Sequence, residues 1–151
     1  MLPMEVYLNI FEALREDHDK QRTLVDLLVK TQGDSDGRKE LLERLKTNAQ
    51  VHAKAEERFF YKPLIDHDIT QDKARHSIAE HQTLDKLFEE LETTDFSSPG
   101  WLATAKKLHH KLNHHLEEEE HEVFQLAGKA LNEDQKQSLA SDYRSMMQAE
   151  A

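Results

Sequence analysis

The 151-residue sequence contains no cysteine. A disulfide framework and a thiolate metal site are both excluded, and cysteine usage leaves the redox compartment open. Helix breakers are scarce, with four glycines and three prolines, while 33% of residues are charged. That balance favours long helices with solvated outer faces, so an all-α fold is expected. Long hydrophobic runs are missing: none approaches the ~20 residues of a membrane span. The opening stretch, MLPMEVYLNIF, carries Glu5 and no basic leader, so a soluble, cytoplasmic protein without a membrane partner is expected. Positive charge is also short. Twenty Lys and Arg face 30 Asp and Glu, a net charge of −10 that opposes binding to a phosphate backbone, and no nucleic-acid partner is expected. The length fits one domain over residues 1–151 with a sizeable core.

Histidine, by contrast, is plentiful, with ten residues. The stretch Trp101 to Leu126 shows why that matters. Trp101, Ala105, Leu108, Leu112, His115, Glu119, Val123 and Leu126 share one face of a helix. One His and one Glu, a single turn apart, interrupt an apolar stripe. Burying an uncompensated charge or polar group costs on the order of several kcal/mol, so both must point at something that compensates them. Imidazole plus carboxylate inside a bundle suits iron, manganese or zinc.

A shift of 63 residues supplies the other half of the site. It places His18 on His81, His52 on His115, Glu56 on Glu119, Glu57 on Glu120 and Tyr61 on Phe124, with Leu24, Leu28 and Leu45 on Leu87, Leu91 and Leu108. Each half of such a pseudo-symmetric bundle gives one His from its first helix and His-x-x-x-Glu from its second.

Four helices and a shorter fifth follow from periodicity and capping. The first spans about Pro3 to Thr31, with Tyr7, Phe11, Leu14, His18, Val25 and Val29 inward, and QGDSDG (Gln32 to Gly37) ends it. The second runs from about Arg38 towards Asp66 with Leu41, Leu45, His52, Glu56 and Phe59 inward; Pro63 is expected to bend or end it. After a link at His67 to Thr70, the third reaches about Glu92 with Ala74, Ser77, Ile78, His81, Leu84 and Phe88 inward. Ser98 caps the fourth, Pro99 fills its first turn, and Gly128 is expected to stop it. From Asn132 onward, Leu139, Tyr143, Met146 and Met147 predict a fifth helix over the bundle.

The remaining histidines read as structural. His110, His114 and Glu118 form a second helical series, but Lys107, Lys111, His121 and Gln125 flank it, so it faces water. His76 lies far round its helix from His81, His67 falls in a link, and His109 lies off the His115 stripe. Glu117 and Glu118 read as a solvated face, and Glu57 and Glu120 as exposed or as supports for the ligands.

The chain resembles the hemerythrin-like, or HHE cation-binding, domains. The likeness rests on His18 in LREDHDK, His52 and Glu56 in HAKAEERFFYKP, His81 in AEHQTLDKL, and His115 and Glu119 in HHLEEEEHEVF. It implies an antiparallel four-helix bundle around two non-haem iron ions, with Glu56 and Glu119 bridging and His18, His52, His81 and His115 as terminal ligands. Which pair of histidines serves which iron stays open at this point. The rival ferritin-like site needs two Glu-x-x-His motifs; Glu118 to His121 has that spacing but faces outward, without an inward second copy.

Two departures bear on function. Oxygen-carrying hemerythrins have a second His one turn before the third-helix His, where this chain has Ser77, and they place an Asp five residues after the last His, where Glu119 lies four after His115. The chain looks more like the bacterial members, whose small ligands include dioxygen, nitric oxide and peroxide. The expectation is a di-iron protein that binds and reacts with such a ligand; whether it is an enzyme stays open at this point, and if it is one, it is a di-iron oxidase or peroxide-reactive enzyme. The alternative is a non-enzymatic module for iron binding, storage or sensing.

Overall fold

The structure, a computed structural model, describes residues 8–150. The expected first turns from Pro3, with Tyr7, lie outside that range. Helix α1 spans Ile10–Leu28 and starts later than expected because Asn9 caps it. The Asn9 side chain accepts the Glu12 N–H at 3.0 Å, and the Glu12 carboxylate accepts the Asn9 N–H at 3.3 Å. This reciprocal pair satisfies two otherwise unpaired donors, a cap worth about 1 kcal/mol. The helix ends at Leu28, short of Thr31, whose hydroxyl donates to the Leu28 carbonyl at 2.6 Å. Gly33 turns the chain with φ of 61°, a left-handed conformation that favours glycine.

Helix α2 spans Asp36–Glu56 and is capped by Ser35. It passes through a π-helical turn, Glu57–Tyr61, into α3, Lys62–Ile65. After the link comes α4, Gln71–Thr93, and then α5, Pro99–Glu118, with Ser98 as cap and Pro99 in the first turn. A second π-helical turn, Glu119–Val123, leads into α6, Phe124–Ala130. Gly128 therefore does not stop the helix. The run ends at Ala130, where Leu131 becomes extended and its N–H closes on the Ala127 carbonyl. Helix α7 spans Glu133–Glu150, and with 18 residues it is not the short element expected from the sequence.

The two π-turns explain two displaced core residues. Each adds a residue to its turn, closing the Lys62 N–H on the Glu57 carbonyl and the Phe124 N–H on the Glu119 carbonyl. The following side chains rotate, so Phe60, Tyr61 and Leu64 are buried where Phe59 was expected, and Phe124 and Ala127 where Leu126 was.

All regular structure among the described residues is helical. Helix α1 packs on α2 and on α5, α4 packs on α5 and on α2, and α7 lies across α1 and α2. Two apolar clusters result. One is rich in aromatic side chains and gathers Phe60, Tyr61, Leu64, Phe124 and Tyr143; the other is rich in leucine and runs through Leu28, Leu45, Leu91, Leu108 and Trp101. Burying each such side chain contributes about 1.5–3 kcal/mol. At the loop end of the leucine cluster, Arg38 is buried, donates to the Thr31 and Phe96 carbonyls, and stacks 4.2 Å from the Trp101 ring centroid. No helix among the described residues is long and apolar enough to cross a membrane.

Candidate metal centre

Between the two apolar clusters lies a layer of buried polar side chains. His18 comes from α1, His52 and Glu56 from α2, His81 from α4, His115 from α5, and Glu119 from the π-turn that follows it. All six expected residues meet there, and all are buried. His52 and Glu56, like His115 and Glu119, reach inward together because a spacing of four residues returns to one helical face. His81 Nε2 lies 3.0 Å and His52 Nε2 3.3 Å from Glu56 oxygens; His18 Nε2 lies 3.1 Å and His115 Nε2 3.7 Å from Glu119 oxygens.

The four imidazoles share one orientation. Each Nδ1 turns away from the centre and is held by a partner: Glu120 for His18 at 2.6 Å, the Tyr143 hydroxyl for His52 at 2.5 Å, Glu57 for His81 at 3.3 Å, and Glu80 for His115 at 2.8 Å. Tyr143 donates its own proton to Asp17 at 2.6 Å, so the His52 Nδ1–H must donate to Tyr143. That fixes a tautomer whose Nε2 lone pair points inward. Every Nε2, both oxygens of Glu56 and Oε1 of Glu119 are buried without a hydrogen-bond partner. Buried polar atoms are otherwise paired almost without exception. Seven unpaired buried atoms converging on one space fit a cation-binding donor set.

Their titration points the same way. Burial opposes charge on His18, yet Glu119, Glu120 and Glu56 outweigh it and raise its pKa well above the ordinary histidine value. His81, similarly buried, is raised to about 10 by Glu56 and Glu57. Burial would raise Glu56, but His52, Glu119 and His18 hold it well below the usual range; Glu119 is raised by burial and by the Glu56 charge. The carboxylates demand positive charge in their midst, and without a cation protons must provide it. Tyr61 donates to Glu119, and burial with the Glu119 charge keeps its own pKa well above the ordinary value.

Two sets of ligand atoms lie close enough to share an ion. One combines His18, His52, Glu56 and Glu119; the other combines Glu56, His81, His115 and Glu119. The hemerythrin HHE cation binding domain matches residues 9–127. The chain belongs to this family. An HHE cation binding domain-containing protein from Mycobacterium kansasii has a similar crystal structure, with a TM-score of 0.84 at 20% identity over 94% of this chain and 86% of that one. That likeness concerns the fold. No curated protein sequence matches the chain. The buried His and Glu cluster fits the cation binding of the HHE family, since imidazole and carboxylate together suit iron, manganese or zinc.

Sequence periodicity missed the outer partners. Tyr143 meets His52 from α7 and is itself held by Asp17 of α1, and Glu80 reaches His115 from α4. The one available signal was the alignment of Glu57 with Glu120, which support His81 and His18 respectively.

Proposed function

We propose that the chain is a non-haem di-iron protein whose antiparallel four-helix bundle, with α7 laid across it, holds the two metals. His18 and His52 bind one iron, His81 and His115 bind the other, and Glu56 and Glu119 bridge them. The observation that carries this reading is the convergence of seven unpaired buried atoms, divisible into two four-residue sets that share both carboxylates. Two bound ferrous ions would supply the electrons and open coordination positions that dioxygen, peroxide or nitric oxide requires.

The protein's own groups prepare that chemistry. Ser77 stands one turn before His81, buried, and leaves the second metal position short of a protein ligand. Tyr61 keeps its proton and holds it at Glu119, within reach of Ser77. The aromatic cluster around Phe60 and Phe124 excludes water on that side. An open position beside a fixed proton donor favours turnover over reversible storage.

The deciding experiment mixes the diferrous protein with dioxygen in a stopped-flow spectrometer and then degasses it. Oxidation to the diferric state that degassing does not reverse is expected. Recovery of the diferrous spectrum over repeated cycles would establish a carrier. Oxidation without turnover of any added reductant would favour iron storage or sensing.

A further inference from the structure

The repeat that unites the two halves in the core sets them apart at the surface. Ala13, Asp17, Val51 and Ala55 stand 63 positions before His76, Glu80, His114 and Glu118. In the first half, α7 covers three of these positions, Ala13, Asp17 and Ala55. Ala13 and Ala55 are buried in one cluster with Ala140 and Tyr143, and Tyr143 bonds to Asp17. In the second half, the same positions remain on the surface and carry two histidines and two glutamates.

Three of those side chains, His76, Glu80 and Glu118, converge across α4 and α5, and His114 adjoins the second oxygen of Glu118. His76 Nε2 lies 3.3 Å from Glu118 Oε1 and 3.5 Å from Glu80 Oε2, and His114 Nε2 lies 3.3 Å from Glu118 Oε2. Each helix gives a His-x-x-x-Glu pair, the spacing already used in the core. Ligand atoms of His76, Glu80 and Glu118 lie close enough together to hold an ion. His76 and His114 are 54% and 65% exposed, whereas Glu80 and Glu118 are mostly covered. Glu80 faces both ways, because its other oxygen accepts the His115 Nδ1–H at 2.8 Å. Beside it a cleft of about 70 Å³ is walled by Glu80, Thr83, Leu84, Lys111 and His115. Leu84 and His115 also wall the small inner space next to His52 and His81.

We propose that His76, Glu80, His114 and Glu118 form a second, solvent-facing divalent-cation site that passes iron(II) to the core, with Glu80 joining the two. The role in loading rests on reading the core as the metal centre. Two carboxylates balance a divalent charge, and two imidazoles give the donor set borderline softness, a combination suited to Fe²⁺. The exposed histidines keep such a site exchangeable, as a loading site must be. Turning Glu80 towards an outer cation releases the His115 ring at the inner end of the cleft.

Co²⁺ is the probe, because its visible absorption reports binding without any reaction with dioxygen being required. Metal-free wild type, His76→Ala with His114→Ala, and Glu56→Gln with Glu119→Gln are titrated and then followed by stopped-flow absorption. Three ions are expected in wild type and two in the outer variant, whose core fills about tenfold more slowly once the cleft loses its steering ligands. The core variant is expected to keep one readily exchanged ion. Because His76 and His114 are exposed, the outer variant should melt with wild type. Three ions in that variant overturn the outer site, and two ions loaded at the wild-type rate overturn its role in uptake. Retention of the tightly held ions by the core variant instead overturns the core reading, a result separable from both.

Discussion

His52 and His115 occupy equivalent places in the repeat, yet the nitrogens that face away from the core are held differently. His52 is held by Tyr143, a neutral phenol brought in by α7 and backed by Asp17; His115 is held directly by Glu80, the repeat counterpart of Asp17. A carboxylate makes an imidazole a stronger donor than a phenol does, and partners of this kind shape a metal site as strongly as its ligands. One end of the centre is thus sealed beneath a helix while the other looks towards solvent through one acidic side chain. Near-identical inner residues become inequivalent through what lies behind them.

The largest effect tests whether the two ends form one centre. Glu56→Ala combined with Glu119→Ala should remove both core ions, read by elemental analysis after a chelator wash that strips readily exchanged metal, whereas His110→Ala on the exposed stripe should leave both in place. Survival of one tightly held ion after that wash would show that the ends bind independently. Next, Leu108→Ala in the leucine cluster should cost about 2–5 kcal/mol of stability while each folded chain still holds its full metal. Loss of metal in step with stability would make the two regions a single unit.

Finer comparison comes from the outer partners. Tyr143→Phe removes the hydroxyl behind His52 and should weaken retention of one ion about 10–100-fold, read by competition with a chelator. Glu80→Gln should speed release of the other ion. If both substitutions act on the same ion, the proposed inequivalence is wrong. The smallest effect is on pH dependence. In metal-free protein the His81 pKa is raised from 6.5 to about 10, so its stabilising proton is fully present below pH 6.5 and is lost as pH rises through about 10. Chelated protein should therefore melt lower at pH 10 than at pH 6. The metal-bound form, whose Nε2 atoms carry no proton, should lack that contribution.

Much of this architecture is legible in the sequence because it repeats within single helices. The Ser98 cap, the Pro99 start and the inward face from Trp101 to Glu119 follow from local spacing, and the 63-residue repeat pairs the ligands. What escapes is whatever depends on a break in periodicity or on a second helix. The π-turns after Glu56 and at Glu119 put Phe60, Tyr61 and Phe124 where a regular helix would put Phe59 and Leu126. The far face of α4 that carries His76 reads as solvated until α5 brings Glu118 to 3.3 Å. Nor does any spacing within α7 announce that Tyr143 reaches His52, because that contact spans 91 positions.

Each half of the chain completes the other. Glu56 of the first half lies 3.0 Å from His81 of the second, while Glu119 of the second lies 3.1 Å from His18 of the first. Glu57 and Glu120 cross over in the same sense to hold the outer nitrogens of those two rings. Neither helical hairpin therefore contains the whole buried His and Glu cluster, and each completes it for its counterpart. Cations filling the centre would tie the hairpins as a covalent cross-link does in a cysteine-bearing protein, except that reducing agents would leave the tie intact while acid or a chelator would undo it. Occupancy of the core centre would then be a direct record of whether the two hairpins have docked.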